Sequence, residues 1–173
     1  MSYDLFVTGR ADGLSREAWI EELGRMGLEV DLHPGVEIPG HEGGFVPARL
    51  ALREDCALMS ELRPLADAEP DLESLVDLLE QLRETGPVLT GFELQLGEES
   101  TALSFGARDP ASAVLLTFCA ALAAARITGG QVEDPQTGLG LDPARAGESL
   151  GRVLEEEFDL FMAEAEETPF EAW

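Results

Sequence analysis

No lysine occurs among the 173 residues; all 11 bases are arginine. A Schiff-base lysine and a P-loop lysine are thereby excluded. Positive charge of any kind is scarce: 35 acids stand against 11 bases and 2 histidines, for a net charge of −24. Binding to a phosphate backbone rests on clustered Lys and Arg, so nucleic acid is excluded as a partner. Docking on an anionic membrane surface is disfavoured for the same reason. Cysteine is nearly absent too. Cys56 and Cys119 form no Cys-x-x-Cys pair and no disulfide framework. The longest uncharged, mostly apolar run, Pro110 to Ala125, has 16 residues, short of the ~18 that a membrane span needs. No membrane association is therefore expected. The opening Met1–Phe6 has neither a basic region nor a long apolar stretch, so the chain reads as cytoplasmic, without a signal peptide.

Catalytic signatures are missing as well. The chain has no G-x-S-x-G elbow, no P-loop, and no G-x-G-x-x-G leading into a helix. No catalytic residue and no cofactor are expected. His33 and His41 flank a loop and, with Asp31 and Glu42, compose the weak candidate set for a mixed nitrogen–oxygen metal site. Their spacing matches no metal motif, and exposed loop histidines are the plainer reading. Cys56 follows Glu54 and Asp55, and acidic neighbours disfavour a thiolate. Cys119 sits in an apolar helical run and reads as a small buried hydrophobe.

What is present is apolar residue in quantity: 45% of the chain, enough for a globular core and too much for disorder. The length predicts one domain. Tyr3–Thr8 alternates as a strand, with Tyr3, Leu5 and Val7 on one face. Ser15 caps a helix over 16–26 in which Trp19 is a core residue. Leu28–Leu32 is a second strand. His33–Gly44 holds 2 prolines and 4 glycines in its 12 residues and must be a loop. A strand follows over 45–53, with Pro47 marking it as an edge. Residues 54–68 are ambiguous, with a short helix broken at Pro64. Asp71 caps a helix to about Glu84, and Gly97–Ser100 turns a hairpin between strands over 88–96 and 101–107. Asp109-Pro110 opens an all-apolar central helix, with Asp109 as its cap. A turn at Asp134–Gly138 and a last helix from about 144–149 to 167 complete the pattern. Hairpins alternating with helices predict an α+β fold: a mostly antiparallel sheet of five to seven strands carrying three or four helices. Residues 1–167 form the single domain and 168–173 an aromatic tail.

Two features rise above this background. The last helix carries Glu155, Glu156, Glu157, Asp159, Glu164, Glu166 and Glu167 against one nearby base, Arg152. The tail ends on Phe170 and Trp173. Together they are the candidate partner-binding residues, facing a basic protein. Each has a plainer alternative: a solvated face over a buried stripe, and aromatics that dock on the protein's own body.

The opening Tyr3-Asp4-Leu5-Phe6, together with Gly129-Gly130 followed by Asp134-Pro135-Gln136-Thr137-Gly138, resembles a group of small uncharacterised bacterial proteins of the pattern sYDLyf…GGxxxDPQTG. Some of these look like immunity proteins of toxin systems. The resemblance implies a non-catalytic acidic protein that inhibits a basic toxin or enzyme. Two other expectations stand beside it. One is a secretion-type chaperone or adaptor, a homodimer binding an apolar segment. The other is a metal-dependent enzyme using His33 and His41.

Overall fold

In a computed structural model, described over residues 2–38, 40–106, 108–161 and 166–173, the chain is an α+β fold. The side chains of residues 71 and 154–161 lie outside that description. The strands are β1 (Ser2–Thr8), β2 (Leu28–Leu32), β3 (Gly44–Leu52), β4 (Val88–Leu96), β5 (Ser100–Gly106), β6 (Val132–Asp134), β7 (Leu139–Leu141) and β8 (Thr168–Pro169). The helices are α1 (Arg16–Arg25), α2 (Ala57–Ala66), α3 (Pro70–Thr85), α4 (Ala111–Thr128) and α5 (Ala146–Phe161). The sheet runs β2-β3-β4-β5-β1-β6-β7, with β8 paired to β4. Every pairing is antiparallel.

Strand alternation sorts the side chains. Tyr3, Leu5 and Val7 on β1, Val46, Ala48 and Leu50 on β3, Phe92 and Leu94 on β4, and Leu103 and Phe105 on β5 are buried under the helices. The alternate positions form the opposite, uncovered face. Helix α4 lies centrally, with every residue from Ser112 to Ala125 buried. Its alanines let it approach the sheet and α1 closely. Trp19 is fully buried, as its helical position predicts; its indole N–H donates to the Ala120 carbonyl (2.9 Å) and its ring meets Phe92. Helix α4 reaches 18 residues by taking in Arg126, long and apolar enough to cross a membrane, which the shorter uncharged run did not suggest. Of its residues, 78% are buried inside this fold.

Several local expectations are corrected. Pro47 does not mark an edge: β3 pairs with both β2 and β4. The ladder with β2 ends at Leu32–Ala48, and Pro47 then accepts from the His33 N–H through its carbonyl (2.9 Å). Its missing donor therefore lies past the end of the ladder, where no strand bond is lost. Helix α2 runs through Pro64 to Ala66 and supplies the fifth helix; β8 supplies the eighth strand. Glu69, not Asp71, is the N-cap of α3, with Pro70 in the first turn. Asp109 does not cap α4. Its carboxylate accepts from the Gly106 N–H (2.6 Å), and Pro110 is left at the N-cap with no side-chain bond.

Candidate functional site

The uncovered sheet face is where the chain's charge becomes a local arrangement. Of the strand acids, Asp4, Glu29, Asp31, Glu93 and Glu133 all fall on this face, and Asp134 alone is buried. The strands carry a single base, Arg49. Glu29 and Asp31, on the edge strand β2, lie near Arg53 (3.9 Å) and Arg16 (3.8 Å). Among the described residues, Asp4, Glu93 and Glu133 have no arginine within ion-pair distance.

The register sets these acids beside large apolar side chains. One row across the face reads Phe45, Glu93, Ser104, Asp4. The next reads Gln95, Ala102, Phe6, Glu133. Phe45 is 53% exposed, Phe6 38% and Leu89 40%. Small side chains on β5 floor a trough of about 390 Å³ that Asp4, Glu42 and Glu93 line with carboxylates. Gly91 makes room for the Phe45 ring. A Cβ there would lie 2.4 Å from the ring edge and 2.4 Å from the Val46 carbonyl. The ring thus covers bare β4 backbone and is held in place, a pre-ordered apolar anchor among carboxylates.

The C-terminal segment crosses this face. Glu167 starts in the helix layer. Its carboxylate accepts from the Ser112 N–H (2.8 Å) and hydroxyl, supplying the cap that Pro110 cannot. Next, β8 pairs with Val88 and Leu89, and the Phe170 N–H donates to the Pro87 carbonyl (3.1 Å). Phe170 and Trp173 then rest on the uncovered face. Arg49 lies over the Phe170 ring at 6.0 Å, Phe170 meets Trp173 edge-on at 4.9 Å, and Trp173 meets His33 at 5.0 Å. The segment is held by few backbone bonds, at ~1 kcal/mol each, and a cation–π contact of ~0.5–1 kcal/mol. Glu167→Ala is expected to lower stability by about 1 kcal/mol and to speed amide exchange at Phe170. Unchanged exchange there would show that the cap does not hold the tail.

The sequence-selected residues are thus divided. Glu155, Glu156, Glu157 and Asp159 belong to α5, with side chains outside the described residues, and Glu164 lies outside them altogether. Glu166 is exposed, whereas Glu167 is engaged on α4. Phe170 and Trp173 dock on the protein's own sheet. His33 accepts from the Gly35 N–H through Nδ1 (2.9 Å), and His41 Nε2 lies 3.3 Å from the Gly44 carbonyl. Among the described residues, no three His, Cys, Asp or Glu side chains converge to hold a metal ion. Burial pushes both thiols, Cys56 and Cys119, above the ordinary cysteine range, which suits packing rather than nucleophilic chemistry.

Sequence reading missed Phe6, Phe45 and Leu89. Part of their signal was available: each is a large apolar residue in the outward phase of its strand.

The two motif segments, 131 residues apart at Tyr3 and Asp134, meet in the fold. The Tyr3 hydroxyl donates to the buried Asp134 carboxylate, which also accepts from the Thr137 hydroxyl (2.9 Å) and the Gln136 N–H (3.0 Å). The side-chain amide of Gln136 reaches Asp134 and the Asp4 carbonyl. The YDL and DPQTG segments are therefore one structural clamp between β1 and the β6–β7 turn. Comparison of the chain with family models, with curated proteins and with solved structures gives no significant match in any of the three.

Proposed function

We propose that the protein is a non-catalytic acidic binding protein whose uncovered sheet face docks a basic protein, in the manner of an immunity-type inhibitor of a basic toxin or enzyme. One observation carries this reading. The face sets exposed Phe6 and Phe45 among Asp4, Glu93 and Glu133, with exposed Leu89 beside Arg49, its only strand base. Buried aromatic anchors within a charged surround are the energetic pattern of protein interfaces. A net charge of −24 speeds encounter with a cationic partner and repels anionic ones. Each of the two rows given above holds one large apolar side chain and at least one carboxylate, so the face favours a basic protein over an apolar segment.

The test is capture from a lysate of the source cells by immobilised protein and by a Phe45→Asp variant. Washes go from low salt to ~0.5 M, where the Debye length is roughly 4 Å, with identification by mass spectrometry. The expected result is one basic protein, released by salt and bound at least ~10-fold more weakly by the variant, as for loss of a central anchor. Equal retention by the variant, or no basic protein retained, overturns the reading.

A further inference from the structure

Among the described residues, the exposed large apolar side chains are Phe6, Phe45, Leu89 and Trp173. The first three project from the uncovered face of the sheet. Trp173 belongs to no strand, and the tail carries it to the same face, where its ring meets His33 and Phe170. As internal packing this seat is incomplete. Trp173 stays 43% exposed, whereas Trp19 is wholly buried. The Arg49 guanidinium lies against the Phe170 ring, and its Nε–H is buried without an acceptor among the described residues, an arrangement that costs stability. What the seat achieves is placement. Phe170 rests on Arg49, and Trp173 stands edge-on to both Phe170 and His33. The indole is thereby oriented before any partner arrives.

We propose that the tail is a working part of the docking face: Phe170 seats it on Arg49, and Trp173 offers its free ring surface to a cationic side chain of the basic partner. The inference rests on the docking face proposed above. Tryptophan gives the strongest cation–π attraction of the aromatic side chains, and it is enriched among the residues that dominate interface energy. Phe170 also covers the one base that the strands place on this face, so an incoming cation meets an aromatic ring there instead of a guanidinium. An aromatic tail can in this way dock on its own protein and still face a partner.

The chain has 2 tryptophans, which makes the test selective: Trp19 is sealed from solvent and Trp173 is open to a quencher. The probe is a decapeptide alternating arginine and glycine, at low salt. It is used unlabelled for acrylamide quenching of tryptophan fluorescence and rhodamine-labelled for anisotropy. Trp173→Ala, Phe170→Ala and Phe45→Ala are compared with the unaltered chain. None of them changes the net charge, so the general attraction is equal in every form. Bound peptide is expected to remove the acrylamide-sensitive signal, and Trp173→Ala and Phe170→Ala should each bind about tenfold more weakly. The quenching is read on the unaltered chain and decides even where a variant fails to fold. Weaker binding by Phe45→Ala alone, with Trp173 still quenched in the complex, overturns the role of the tail while the docking face stands. Weaker binding by Trp173→Ala but not by Phe170→Ala overturns the seating by Phe170. Equal binding by every form, or binding by none, overturns the inference together with the docking reading.

Discussion

Asp134→Ala is expected to cost about 4 kcal/mol of stability, read as a lowered midpoint of urea unfolding. The carboxylate is 1% exposed and accepts from the Tyr3 and Thr137 hydroxyls and the Gln136 backbone. Alanine removes every one of these acceptors at once, and each buried donor left without a partner costs about 1–3 kcal/mol. The partners nearest the surface recover part of this by meeting water. Tyr3 cannot, because its ring is 3% exposed and packed between Phe105 and Phe118. Tyr3→Phe should therefore cost about 1–2 kcal/mol, and the double variant should cost less than the sum of the two single ones. Additive losses would show that Tyr3 and Asp134 stabilise the fold independently. A loss under ~1 kcal/mol for Asp134→Ala would show that the turn holds without its carboxylate.

Gly130→Ala is expected to cost about 3 kcal/mol, at the upper end of ordinary overpacking. A Cβ at Gly130 would lie 1.5 Å from the Thr8 carbonyl oxygen and 2.7 Å from its carbon. Those atoms are backbone and cannot swing away as a side chain would. Thr8 is also tied in place, donating its N–H to the Gln131 carbonyl (2.9 Å) and accepting the Gln131 N–H at its hydroxyl (3.0 Å). Space for a methyl would have to come from parting β1 from β6, which disturbs the Tyr3–Asp134 clamp as well. Gly140→Ala is the control, since nothing lies within 4 Å of a Cβ there. Matching thermal unfolding of the two variants would refute the close approach at Gly130.

How much of this was legible follows the range of the interactions. The period-2 pattern of β1, the hairpin at Gly97–Ser100, the helical stripe of α3 and the all-apolar α4 are local signals, and each formed where its pattern placed it. Asp109-Pro110 read as a cap because the local sequence suits one. The structure instead aims Asp109 at Gly106 and draws the α4 cap from Glu167, which no local window can show. Pro47 read as an edge marker because a missing donor is costly inside a ladder. Only the length of β2, set by a partner strand, reveals that no bond is lost there. The GG…DPQTG segment was noticed as a motif and proves to be architecture: a close backbone approach and a buried carboxylate. The proposed docking face was hardest to see. Its acids and aromatics come from separate strands and become neighbours only through register, in a chain whose acids are too many for any one to stand out.

The central position of β1 has a kinetic consequence. Its two ladder partners, β5 and β6, begin at Ser100 and Val132. As the chain emerges from the ribosome, an apolar strand made before both of its partners must wait with both edges open until those residues arrive. Contacts of such long sequence separation slow folding, toward milliseconds to seconds, and an open strand edge invites pairing between molecules. A net charge of −24 acts during that interval. Nascent chains repel one another before any of them has a surface to present, so the acidity that suits the proposed basic partner also protects the chain on its way to the native state.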